Sequence, residues 1–170
     1  RMAQRINIAS TLAKIDGLMV ALCLLITSCS SDIPADNESS SAITREEAIA
    51  TIKACEERYL HSDTPTYEEE QIALLRSYYM DSNEHEDRSR ALFFCAQASY
   101  AEGNTPEALL YLIEAEKSSE RCDDMAYDGR IKRMKGDIYG EDCLFANALE
   151  EYQECRESFV AADMMTHANY

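Results

Sequence analysis

From Thr44 onward, apolar residues recur three and four apart, the period of a helix with one buried face. Ala48, Ile52, Cys55 and Tyr59 form the first such stripe. Thr44-Arg45-Glu46-Glu47 precedes it as a capping box, in which Thr44 accepts from the amide of Glu47 and Glu47 reaches back. A helix is predicted over 44–61. Thr66-Tyr67-Glu68-Glu69, after Pro65, reads as a second box, and Ile72, Leu75 and Tyr79 follow with Leu74 and Tyr78 beside them. They predict a helix from 66 to about 80. A polar break over 81–87 precedes a third helix, about 86–101, that turns Leu92, Cys95, Ala96 and Ser99 toward a partner. Gly103-Asn104 closes it, Thr105 serves as N-cap and Pro106 as a first-turn residue of a helix ending near 121. Two more are predicted at about 125–140 and 144–162.

Two of these helix pairs repeat one pattern. Ala96 to Ala108 is 12 residues, as is Gly136 to Ala148; Ala108 to Ala115 is 7, as is Ala148 to Cys155. Small residues at these intervals sit where the helices of a hairpin approach closely, and such a pair must stack on neighbours to bury its apolar face. The first copy supplies Ala96, Ser99, Ala108, Leu112 and Ala115; the second supplies Gly136, Tyr139, Ala148, Tyr152 and Cys155. This order of small and aromatic residues resembles the tetratricopeptide repeat. The resemblance covers about 65 residues, 91–155, and implies an all-α, tetratricopeptide-like helical-hairpin solenoid of about six helices over 44–162. Two departures stand out. Ala108 to Ala148 is 40 residues, against a usual period of about 34, so longer helices or a longer connection are expected between Glu116 and Asp128. The first-helix aromatic of the family is Leu92 in one copy and Lys132 in the other. Met164, Met165, Ala168 and Tyr170 in 163–170 read as the start of a further, truncated repeat.

The N-terminal third has a different pattern. Arg1, Arg5 and Lys14 precede an 11-residue apolar run, Gly17 to Thr27. That length is short for a bilayer span and suits a signal peptide, so 1–28 is expected to be a signal helix. The run ends in Ile26-Thr27-Ser28-Cys29, which resembles the bacterial lipobox. The resemblance implies that the thiol of Cys29 receives a diacylglycerol, that the chain is cut before it, and that the new N-terminus is acylated, for instance with palmitate. Residues 29–43, rich in Ser and acids, read as a flexible tether. The expected location is the cell envelope, lipid-anchored and extracytoplasmic.

Charge narrows the partners. The 170 residues carry 16 basic and 32 acidic side chains, net −16; without 1–28 the balance is 13 to 31, net −18. Such a chain repels phosphate backbones, so nucleic-acid binding by this segment is not expected. The seven cysteines (23, 29, 55, 95, 122, 143 and 155) include no C-x-x-C pair, and no His lies at ligand spacing from them. Cys95 and Cys155 fall at packing positions and read as buried thiols; a Cys122–Cys143 disulfide stays open. There is no phosphate loop, H-E-x-x-H or EF-hand pattern. His61, His85 and His167 sit at expected ends or loops and read as solvated. No catalytic residue, metal site or cofactor is expected.

One basic cluster remains, Arg130-Ile131-Lys132-Arg133-Met134-Lys135. Arg130 and Arg133 share a helix face with Asp137 and Glu141. The family resemblance implies that the first helix of each hairpin lines a peptide-binding groove. Phe93, Gln97 and Tyr100 from the third helix, with Arg130, Arg133 and Asp137 from the fifth, are then the residues left to face it. The competing arrangement covers Phe93 and Tyr100 with the first two helices and neutralises the Arg pair with Glu150, Glu154 and Glu157. The expected function is a non-catalytic protein-protein interaction module that takes a protein or peptide ligand and is held to a membrane by its lipid. The alternative is the sensory N-terminal part of a longer repeat-containing transcriptional regulator, resembling those of Gram-negative gut anaerobes.

Overall fold

The structure, a computed structural model, describes residues 43–62 and 64–164, all within one compact unit spanning 41–170. The expected signal peptide, nearly all of the tether with Cys29, and residues 165–170 of the final segment lie outside the described residues. Six helices follow one another, with no strand among the described residues: α1 (Arg45–His61), α2 (Glu69–Tyr79), α3 (His85–Ala101), α4 (Thr105–Cys122), α5 (Met125–Glu141) and α6 (Phe145–Ala161).

The starts of α1 and α4 follow from local chemistry. Thr44 and Glu47 form the reciprocal box read from the sequence. At α4 the N-cap is Asn104, one residue before the expected Thr105. Its side-chain oxygen accepts from the Glu107 amide at 3.4 Å and its NH2 donates to the Glu107 carboxylate at 2.9 Å. α2 departs further: it begins at Glu69, the last residue of the expected box, and its N-cap Glu68 makes no side-chain cap. Arg58 of α1 donates to the carbonyl of Thr66 and to the carboxylate of Glu68. The Tyr67 ring lies against Phe94, its centroid 5.6 Å away. Those tertiary contacts hold 66–68 extended and outweigh a cap worth about 1 kcal/mol.

The core is centred on α3. Six consecutive residues, Ala91 to Ala96, are all buried, so this helix has no solvent side over that turn and a half. It packs against α1, α2, α4 and α5, and most extensively against α4; α5 packs most extensively against α6. The small residues lie where the pattern placed them: Ala96, Ala108 and Ala115 are fully buried, and Ala148 and Cys155 nearly so. The extra length in the 40-residue period is taken up by the helices, 18 residues in α4 and 17 in α5, since the connection between them is only Asp123 and Asp124.

The connections repeat with the same period. Gly103 and Cys143, 40 apart, both adopt left-handed backbone (φ 80° and 60°), as do Asp123 and Asp163 (φ 55° and 58°). After the first pair, the Asn104 amide donates to Ser99 and the Leu144 amide to Tyr139, each at 2.8 Å. After the second, the Asp124 amide donates to Ser119 at 3.3 Å and the Met164 amide to Phe159 at 2.8 Å. The turn leaving α6 is thus built like the turn that leads from α4 into α5.

Candidate functional site

A groove of about 620 Å³ opens between the C-terminal end of α1, the residues Ser62, Thr64 and Pro65, α3 and α5. Phe93, Gln97, Tyr100, Arg130, Arg133 and Asp137 all border it. Helical spacing explains the convergence: 93, 97 and 100 lie on one face of α3, and 130, 133 and 137 on one face of α5. Leu60, two-thirds exposed, stands at the rim, and Met134 adds apolar wall.

The six residues play unequal parts. Phe93 was expected to project freely into the groove, and this is corrected: it is 1% exposed. Edge-to-face contacts with Tyr59 of α1 and Tyr127 of α5, at 5.5 and 5.7 Å, cover it from both sides. α3 is central, so a ring on this face becomes floor rather than contact surface. Gln97 is half-buried, and its side-chain oxygen accepts from the Tyr67 hydroxyl. Tyr100 is half-buried and donates to Glu141; burial and then that bond push its hydroxyl pKa up to about 12. Asp137 accepts from Tyr152 of α6 at 2.7 Å.

Arg130 carries the distinctive chemistry of the groove. Its guanidinium stacks 4.6 Å from the Tyr127 ring centroid and 5.2 Å from that of Tyr59. No carboxylate among the described residues pairs with it. A guanidinium whose carbon sits over ring faces still has N–H groups to offer a planar acceptor. The expectation that α6 acids neutralise this pair is therefore not met at Arg130.

Of the acids expected there, Glu154 serves Lys132 of the same cluster instead. Lys132 donates to Glu116 of α4 at 2.9 Å and to Glu154 of α6 at 2.7 Å. Lys135 donates to Glu116 at 2.9 Å and lies 2.7 Å from Glu151. Asp128 lies 3.9 Å from Lys132 and accepts from Ser158. Both lysine side chains are about nine-tenths covered. Carboxylate oxygens of Glu116, Glu151 and Glu154 lie within 4.8 Å of one another, but two ammonium groups already supply the positive charge between them. Sequence reasoning did not single out this network. Its signal was Asp128, Lys132 and Lys135, spaced four and three along a helix whose other stripe residues are apolar.

The remaining expectations resolve simply. Cys122 and Cys143 are free thiols, so the open pairing is not formed; Cys95 and Cys155 are buried and free. His61 ends α1 with its Nδ1 2.7 Å from the Glu57 carbonyl, and His85 opens α3; His167 lies outside the described residues. No helix among the described residues is long and apolar enough to cross a membrane. Comparison with protein families, curated proteins and solved structures finds no match to this chain.

Proposed function

We propose that the chain is a non-catalytic interaction module whose hairpins stack as a tetratricopeptide-like array and whose α1–α3–α5 groove takes an extended, acidic peptide segment of a protein partner. The observation that carries the reading is Arg130, a guanidinium held over two aromatic rings inside a groove and paired with no carboxylate among the described residues, in a chain with twice as many acids as bases. Two further features support it. Packing runs between successive helices and between alternate ones, α1 with α3 and α3 with α5, as an array of stacked pairs requires. The left-handed turns recur at the 40-residue period. Binding would pair a ligand carboxylate with Arg130 and lay its backbone along Gln97, Tyr100 and Asp137.

The same reading holds the module at the cell envelope through a lipid on Cys29, on the strength of the charged region, apolar run and Ile-Thr-Ser-Cys box. Labelled fatty acid should enter the full chain and not Cys29→Ala; equal label in both refutes the anchor. For the groove, capture from envelope extract is compared between the wild type and Arg130→Glu/Arg133→Glu. With thermal midpoints matched, the variant should lose at least tenfold in capture of its partner, about 1.4 kcal/mol or more. A variant that keeps every partner removes the groove from consideration.

A further inference from the structure

We infer that the outer face of α6 is a self-association surface, on which a second copy of this chain lays its own α6 antiparallel. Phe145, Leu149, Tyr152 and Val160 are 68%, 58%, 40% and 44% exposed. With exposed Arg156 they fall within about a quarter turn of one another on a helix of 100° per residue. The stripe contains no carboxylate, in a chain where 32 of 170 residues are acidic. Ala146 and Gln153, which flank it on one side, are uncharged and exposed. Glu150, Glu154 and Glu157 point at least a quarter turn away from the middle of the stripe.

The molecule already uses this face once. At the 40-residue period, Leu149, Tyr152 and Arg156 correspond to Leu109, Leu112 and Glu116 of α4. There Leu109 is half-buried and packed on the core, Leu112 is fully buried, and Glu116 is bound by Lys132 and Lys135 of the next helix. Phe145 and Val160 correspond to Thr105 and to exposed Glu120, so the match to a covered face is confined to the middle of the stripe.

The arrangement of the stripe selects a copy of itself as the partner helix. About a midpoint between Tyr152 and Gln153 it is nearly symmetric: Phe145 falls opposite Val160 of the second helix, and Leu149 opposite Arg156. A twofold contact needs such self-complementarity. In it each guanidinium lies over a leucine, near the Gln153 amide, with no acid facing acid. The four apolar side chains expose on the order of 400 Å² per copy, taking about 200 Å² for each when fully exposed. Doubled and given a polar rim, that reaches the lower end of specific interfaces, about 1,200 Å². The pairing is accordingly reversible, and because each copy is strongly acidic it strengthens with salt.

Sedimentation velocity on residues 41–170, a compact unit with its own core, reads the association directly. A monomer–dimer equilibrium in the micromolar range is expected, tightening several-fold between about 20 and about 300 mM salt. Leu149→Glu, at an exposed site, should stay monomeric with unchanged helical circular dichroism. Gln153→Cys, placed in Cys143→Ser, should form a disulfide-linked dimer under mild oxidation, because the twofold brings the two positions near its axis. A monomer at every concentration, or a dimer that survives Leu149→Glu, overturns the inference and assigns the stripe to a different helix. A dimer abolished by Leu149→Glu but never cross-linked through position 153 overturns the antiparallel twofold.

Discussion

A methyl group at Gly129 would lie 2.7 Å from two ring carbons of Phe159, and one at Gly136 would lie 2.7 Å from a ring carbon of Tyr152. The two rings differ in freedom. Phe159 is 1% exposed and walled in, whereas Tyr152 is 40% exposed and able to swing outward at the loss of its bond to Asp137. Gly129→Ala is therefore expected to destabilise residues 41–170 by about 1–3 kcal/mol. Gly136→Ala should change stability by less than about 1 kcal/mol, because the helix gains what glycine gives up. Urea denaturation separates the two; equal costs contradict the distinction between a trapped and a mobile ring. Gly136 was legible in the sequence as a small position at a repeat interval, while Gly129 was not, because its partner ring lies 30 residues away with no pattern linking them. Phe93 was misread for a related reason: helical spacing gives the face of α3 on which it lies, but not that Tyr59 and Tyr127 close over that face.

Between α4, α5 and α6 the ionic network fixes which turn meets which, since Lys132 and Lys135 both reach Glu116 while also binding α6. Burial alone would raise the Glu116 carboxyl, yet hydrogen bonds from Lys135 and Lys132 hold it below its ordinary 4.5. Burial holds Glu151 above 4.5, against its contact with Lys135. A carboxyl lowered in the fold contributes stability above its unfolded value and loses it as pH falls through the folded one; a raised carboxyl works in the opposite sense. Glu116→Gln should thus cost about 1–3 kcal/mol near neutrality and flatten the fall in stability below about pH 4.5. Glu151→Gln should steepen that fall. Thermal midpoints at pH 7 and across the acid range test both, and parallel slopes in all three proteins would exclude the network from acid sensitivity. The extents of the helices were more legible than these links. Thr44 and Glu47 act within one turn and could be read directly, whereas the start of α2 is decided by Arg58 and by Phe94, residues that no local window includes. Lys132 stood out as a departure from an aromatic position and as one of a basic cluster, but Glu116 and Glu154, which bind it, come from two other helices.

Across the whole 41–170 unit, burial is unevenly shared, and the consequence is a gradient of local stability. Eight residues of α3 are buried and the helix meets four others, while α6 buries Ala148, Cys155, Ser158 and Phe159 and packs against α5. The sequence showed where each helix lies and which stripe it hides, but not this ranking, which depends on the number of neighbours a stripe meets. In a unit stacked helix on helix, an end element opens without the rest. Native-state hydrogen exchange in low denaturant should therefore show the amides of α1, which buries only Ala48, Ile52 and Cys55, and of α6 losing protection early and those of α3 last, at the cost of global unfolding. Leu149→Glu at low micromolar concentration is the suitable background, since pairing through α6 would itself protect that helix. Gly129→Ala adds the decisive arm. Its strain lies at the α5–α6 contact with Phe159, so it should speed exchange in α6 many-fold and leave α1 and α2 nearly unchanged outside global opening. Uniform acceleration along all six helices would mean that the unit unfolds only as a whole, and that its end helix is as firmly held as its centre.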